Sequence, residues 1–259
     1  MGIWVIFLAV ATAAIGAYVG VACARRSAYA ADRRPLWTTL AALVIGGVAF
    51  WLTNIVSMAG FAVDGSAVRF DALRVAVSLA LCLVATIAGL LIAAPRRRAT
   101  SSDTVIVTVM AAAAVTGLGL TAGYYVAMTA IEVQGRTYMD GALIAVAGVV
   151  AVIASIGVLW MSIADVSRVV LAGGSLAVAV APVVMHAAMM AALRVRLDAS
   201  APTPPGFEVF AILFPAFVVG MLILVVPIVS LLLAPDRVTA ELEAQARVWV
   251  EQEAAQRRS

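Results

Sequence analysis

Long, nearly unbroken runs of apolar residues alternate with short polar or basic segments along this chain. Seven runs are long enough to cross a hydrocarbon core as helices, which takes about 20 residues each. They cover about residues 3–24, 37–58, 73–94, 104–130, 142–164, 169–193 and 209–233. A transmembrane β-barrel would need alternating apolar and polar positions instead. The pattern therefore predicts an all-α protein, a bundle of seven transmembrane helices.

Arginines are concentrated in the segments that follow the first, third, fifth and seventh runs. The residues in these segments are Arg25, Arg26, Arg33, Arg34, Arg96, Arg97, Arg98, Arg168, Arg237, Arg247, Arg257 and Arg258. Because basic segments stay on the cytoplasmic side, we expect the amino terminus outside and the carboxyl terminus in the cytoplasm. The composition, 64% hydrophobic with a net charge of +3, favours a multi-pass plasma-membrane protein in contact with the lipid bilayer. The same clusters suit anionic lipid better than nucleic acid, which we do not expect as a partner.

Three similar stretches stand at the ends of the second, fourth and sixth runs, around Met58, Met128 and Met190. These methionines are 70 and 62 residues apart, so the repeating unit is predicted to contain two spans. All three copies then have the same orientation, and the seventh span stands outside the repeats. The aligned residues one helical turn before the methionines are Asn54, Tyr124 and His186.

Residues four apart on a helix share one face, so each stretch presents two side chains together. Met185 and Met189 add a further pair on the sixth run. Thioether and imidazole groups are soft or borderline ligands that suit copper, particularly Cu(I). The predicted metal ligands are His186, Met190, Met185, Met58, Met128 and Met189. The residues predicted to contact a cofactor are Asn54, Tyr124, Tyr125 and Trp51.

The three stretches read TNIVSMAG (53–60), GYYVAMTA (123–130) and MHAAMMAA (185–192). In this pattern the chain resembles the MHYT family, bacterial membrane sensors with a Met-His-Tyr-Thr motif repeated in three helices. The resemblance covers about residues 1–233. It implies a sensor with copper at the outer face that binds a diatomic gas. Where the family has histidine, this chain has Asn54 and Tyr124, and the leading methionines are replaced by Thr53 and Gly123.

The composition changes after Pro235, where an amphipathic pattern predicts a cytoplasmic helix. We therefore predict two parts, a membrane domain over 1–233 and a tail over 234–259. The tail is too short for a catalytic domain, and no enzyme activity is expected. A sensor of this form would signal through a separate protein partner, and residues 236–259 are the predicted contact.

Two other classes of function stay open. The first is a structural or accessory subunit of a membrane complex that has lost the metal site. The second is a small-solute transporter, although ionisable groups, which mark transport paths, are nearly absent from the spans. The chain contains no lysine, which excludes a retinal Schiff base, and a single histidine, which excludes bis-histidine haem within one chain.

Overall fold

The structure, a computed structural model, describes residues 3–27, 33–94, 102–164, 166–198 and 200–233. Its helices are α1 (Ile3–Arg26), α2 (Arg34–Ala42), the π-helix π1 (Leu43–Leu52), α3 (Thr53–Met58), α4 (Ala72–Ala93), α5 (Ser102–Thr129), α6 (Gly141–Ile163), α7 (Arg168–Ala192) and α8 (Val209–Leu233). Four short strands are β1 (Arg69–Phe70), β2 (Ile131–Glu132), β3 (Gly135–Met139) and β4 (Leu193–Leu197). The segments α2, π1 and α3 follow one another without a break, and together they are called span 2.

Seven helices of the described part are long and apolar enough to cross a membrane. They begin and end within a few residues of the seven predicted runs, so the predicted all-α, seven-helix fold is confirmed. The chain divides into two units, Met1–Pro227 and Ile228–Ser259. Of the second unit the structure describes only the last residues of α8, and the predicted tail 234–259 lies outside the described residues.

Span 2 is the central helix of the first unit. About 89% of its most apolar part is buried, against 33–44% for α1, α4, α5, α6 and α7. Those five helices contact one another in the order α1, α7, α6, α5, α4, and α1 and α4 both contact π1. A helix that is apolar on every side is expected in such a central position. The seventh spanning helix is different, since only 11% of its most apolar part is buried.

Glycines let the helices approach closely at the centre of the bundle. A Cβ atom on Gly16 of α1 would lie 2.8 Å from the backbone nitrogen of Ala49 in π1. A Cβ atom on Gly117 of α5 would lie 2.6 Å from Cα of Val152 in α6. In a membrane such close approach stabilises helix association through dispersion contacts.

The helices α3, α5 and α7 all finish at the same end of the bundle, here called the motif end. Two antiparallel strand pairs connect helices there, β1 with β2 and β3 with β4. Asp71 and Asp140 cap the helices that begin at this end, because their carboxylates accept hydrogen bonds from the backbone N–H groups of Leu73 and Ala142. These two aspartates are 69 residues apart, so the repeat seen in the helices continues into the loops.

Candidate functional site at the motif end

The first and third motif stretches meet in the interior of the bundle. Asn54 on α3 and His186 on α7 both have 0% exposure. The distance between Oδ1 of Asn54 and Nδ1 of His186 is 2.8 Å, a hydrogen bond between helices. Residues that are 132 positions apart in the chain are thus direct neighbours.

The second stretch joins the same region through Tyr124 on α5. Its hydroxyl donates a hydrogen bond of 2.8 Å to the carbonyl oxygen of Phe50 in π1. That carbonyl oxygen also accepts from the backbone N–H of Thr53. Tyr124 is 1% exposed, so the bond forms away from solvent. All three motif helices are therefore linked through span 2.

Phe50 belongs to the π-helix π1. In a π-helix the backbone bonds run to the fifth residue, and most examples are a single turn at a functional site. Here the π-helix covers ten residues and ends at Leu52, two positions before Asn54. The side chain of Thr53 reaches back over the same spacing and donates to the carbonyl oxygen of Val48 at 3.3 Å. Span 2 thus changes its winding at the depth of the site.

Of the five methionines among the predicted metal ligands, four are as deeply buried as His186. Met58, Met128, Met185 and Met189 are all 1% exposed or less. Met190 is only partly buried. The buried face of α7 at this end runs through Pro182, Met185, His186, Met189 and Ala192. Met189, and not Met190, therefore continues the face that carries His186.

Two further residues, Trp51 and Tyr125, were predicted to contact a cofactor. Trp51 lies inside the bundle and Tyr125 on its surface. Trp51 is 8% exposed, and its indole N–H donates to the hydroxyl of Ser78 on α4 at 2.8 Å. Tyr125 is 41% exposed and lies on the outer side of α5. The cluster of buried side chains therefore includes Trp51 and excludes Tyr125.

Gly123 replaces the leading methionine of the second stretch for a steric reason. A Cβ atom at this position would lie 2.5 Å from Sγ of Cys82 and 3.1 Å from the carbonyl oxygen of Ser78. The helices α4 and α5 are too close here for any side chain on α5. The departure from the family pattern at this position therefore follows from helix packing.

Two polar atoms at the centre of the site have no hydrogen-bond partner among the described residues. They are Nε2 of His186 and Nδ2 of Asn54. Because Oδ1 of Asn54 can only accept, the hydrogen of a neutral imidazole lies on Nδ1, and Nε2 keeps a free lone pair. Metal-binding histidines are oriented in the same way, through a hydrogen bond from their other ring nitrogen.

In the part of the chain that the structure describes, no group of three or more His, Cys, Asp or Glu residues could hold a metal ion. A metal at the motif end would therefore depend on His186 and thioether groups. The two cysteines, Cys23 and Cys82, are both buried and free. They behave as small apolar residues of the core.

Comparison of the chain with protein-family models, curated proteins and solved structures finds no match. These comparisons neither support nor contradict the resemblance to the MHYT family.

Sequence reasoning missed several polar groups that build the site, namely Thr53, Ser57, Ser78 and the carbonyl group of Phe50. Thr53 and Ser57 are almost fully buried, and Ser57 donates to the carbonyl oxygen of Thr53 at 2.8 Å. Their spacing with Asn54 in an otherwise apolar span was an available signal. Nothing in the residue types of 43–52 indicates a π-helix.

Proposed function

We propose that this protein is a membrane sensor of the MHYT type, in which a buried centre around His186 binds Cu(I) or a small gaseous ligand. The observation that carries the proposal is the free lone pair on Nε2 of His186. A buried polar atom without a partner costs about 1–3 kcal/mol. A ligand that accepts this lone pair would offset that cost.

The chemistry of the surrounding side chains supports a soft monovalent metal. Imidazole nitrogen and thioether sulfur are the donors that Cu(I) accepts readily. Met185 and Met189 stand on the same buried face of α7 as His186, and Met58 and Met128 are buried at the same end of neighbouring helices. Copper held there would supply an open coordination position for a diatomic gas.

The position of Asn54 supports a route from the ligand to the helices. Its carbonyl oxygen holds the imidazole through Nδ1, so a ligand on Nε2 strengthens or weakens the same hydrogen bond. Asn54 lies two positions after the end of π1, whose carbonyl group at Phe50 is bound by Tyr124. Occupation of the site would then shift span 2 against α5 and α7.

The proposed sensor has a defined orientation in the membrane and passes its signal to a protein partner. The distribution of arginines supports a plasma membrane with the motif end outside and both the tail and the basic ends of the helices in the cytoplasm. In this proposal the chain binds a ligand without catalysing a reaction, and a protein partner receives the signal through residues 236–259.

The test is copper binding by the full chain, purified in detergent and supplied with Cu(I) under reducing conditions. We expect one copper per chain, with nitrogen and sulfur neighbours in X-ray absorption spectra. His186→Leu should abolish binding, and Met185→Leu or Met189→Leu should weaken it at least tenfold. Met110→Leu is the matched control, because Met110 lies 47% exposed on α5, far along the helix from the motif end.

Absence of copper from the correctly folded wild-type chain, together with no spectral response to carbon monoxide or nitric oxide, would refute the proposal. A structural or accessory subunit would then be the preferred function. In that case the hydrogen bonds Asn54–His186 and Tyr124–Phe50 serve only to join the three helices. Equal copper retention by the wild type and His186→Leu would also refute it.

A further inference from the structure

The strand pair β3–β4 presents one strongly basic face at the motif end. Antiparallel pairing places Arg136 opposite Arg196 and Tyr138 opposite Arg194. These four residues are exposed, whereas Thr137 and Val195 on the other face are partly buried. The exposed set of Arg136, Tyr138, Arg194 and Arg196 is here called the basic ribbon.

The positive charges of the basic ribbon are only partly neutralised by the carboxylates around them, of which Asp198 interacts electrostatically with Arg136. Arg69 and Arg74 at the same end form ion pairs with Glu208 at 3.1 Å and Glu132 at 2.8 Å. None of the ribbon arginines forms an ion pair with a carboxylate of the described ranges. Two like charges directly opposite each other on a strand pair are destabilising.

Two acidic residues stand on the same face of the strand pair, and both are engaged in local hydrogen bonds. Asp140 accepts from the backbone N–H of Ala142 at the start of α6. Asp198 accepts from the N–H group and the hydroxyl of Ser200. The three guanidinium groups outnumber these two carboxylates by one, and an external anion would complement this surplus of positive charge.

The basic ribbon lies close to the level at which the helices leave the membrane. Arg194 follows the last residue of α7 by two positions, and Tyr138 precedes the first residue of α6 by three. At about 3.3 Å per residue these side chains are within roughly 10 Å of the helix ends, at the depth of lipid headgroups. Tyr138 is 47% exposed and lies 6.0 Å from the guanidinium carbon of Arg196, measured to the ring centroid. Tyrosine is enriched at this level of membrane proteins.

We propose that the basic ribbon binds the phosphate groups of anionic phospholipid at the membrane surface of the motif end. The planar guanidinium group forms paired hydrogen bonds with phosphate oxygens, which a single ammonium group cannot do. The basic ribbon has three guanidinium groups and an aromatic ring on one short strand pair. The guanidinium groups suit the anionic phosphates of the headgroup layer, and the ring suits its partly apolar character. This surface is independent of the buried centre around His186.

The test uses a tryptophan reporter in the full chain, Tyr138→Trp, reconstituted in nanodiscs of phosphatidylcholine. Bromine-labelled phosphatidylglycerol and bromine-labelled phosphatidylcholine are added in turn at equal mole fractions. The chain has five tryptophans of its own, so the reporter signal is the difference between the Tyr138→Trp chain and the wild type under the same conditions. We expect stronger quenching of this difference signal by phosphatidylglycerol. Each replacement of a ribbon arginine by glutamine should lower the preference by up to about fivefold. Arg69→Gln is the matched control, since Arg69 is already paired with Glu208, and it should leave the preference unchanged.

Equal quenching of the difference signal by the two lipids would overturn the proposal, provided that circular dichroism shows the Tyr138→Trp chain to be folded. An unchanged preference after all three ribbon arginines are replaced would also overturn it. Binding of soluble polyglutamate to this face, without any preference between lipids, would assign the surface to an acidic protein segment instead. Copper binding does not enter this experiment, so its outcome is separate from that of the sensor proposal.

Discussion

Asn54 and His186 meet at 2.8 Å between the central helix and α7, with no exposed surface on either side chain. This hydrogen bond is the one direct polar link between two motif stretches in the described part of the chain. Its strength determines how firmly the imidazole is oriented. The first prediction therefore concerns this pair.

Replacing either residue by leucine should destabilise the protein by about 1–3 kcal/mol, because the other polar group is left buried without its partner. In the double variant Asn54→Leu/His186→Leu no unpaired group remains, so its loss of stability should be smaller than the sum of the two single losses by about 1 kcal/mol. Unfolding free energies of the four chains in mixed micelles measure this difference. Strictly additive losses would show that the pair does not interact.

Tyr124→Phe removes the hydroxyl that binds the carbonyl oxygen of Phe50. We expect a loss of about 0.5–1.5 kcal/mol, since that carbonyl oxygen keeps the N–H of Thr53 as a partner. The neighbouring substitution Tyr125→Phe is the matched control, because Tyr125 is 41% exposed and has no place in the buried cluster. The same unfolding measurement compares the two variants. An equal effect of both would contradict the assigned role of Tyr124.

Gly123→Ala should be destabilising by about 1–3 kcal/mol, because its Cβ atom would approach Sγ of Cys82 to 2.5 Å and force α4 and α5 apart. A Cβ atom on Gly173 of α7 would have nothing within 4 Å. Gly173→Ala should therefore be neutral, or stabilising by up to about 1 kcal/mol through helix propensity. Thermal unfolding in detergent distinguishes the two substitutions, and a stabilising Gly123→Ala would disprove the close contact.

Asp198 gives a prediction of pH dependence in the loop after β4. Hydrogen bonds from the hydroxyl and N–H of Ser200 lower the pKa of this carboxyl group below its usual value, and Arg136 lowers it further. A lowered pKa means that the ionised form stabilises the loop at any pH above the pKa of the unfolded chain. This contribution disappears as the pH falls through the pKa of the folded chain.

Ser200→Ala should therefore raise the pKa of Asp198 towards its ordinary value, and Arg136→Gln should raise it by a smaller amount. Carboxyl carbon chemical shifts of labelled protein, followed between pH 2 and 6 as the approximate range for aspartate, measure both changes. A pKa that is the same in wild type and Ser200→Ala would show that the turn does not form in solution.

The number and limits of the spanning helices could be predicted because lipid imposes a minimum length and a nearly uniform apolar composition. For example, the predicted run at 169–193 and the observed helix α7, Arg168–Ala192, differ by one residue at each end. Strands β3 and β4 were missed, although the sequence LRVRL at 193–197 alternates apolar and basic residues in the manner of a strand.

The partners within the site were harder to predict. Polar residues at the same depth of three helices predicted that the three motif stretches lie near one another. Which helix lies at the centre of the bundle depends on the packing of all the helices. The burial of Met189 in preference to Met190 follows from the helical face that already includes Pro182 and Met185. The π-helix has no such signal, because a small change of winding leaves the apolar composition of residues 43–52 unaffected.

The enclosed position of span 2 has a consequence for biosynthesis. A chain is made from its amino terminus, so span 2 is synthesised after α1 and before the other helices that surround it. The amide group of Asn54 then remains without its imidazole partner until α7 has left the ribosome, 132 residues later. In a nascent chain truncated before residue 168, Asn54 therefore lacks the hydrogen-bond partner that it has in the finished protein.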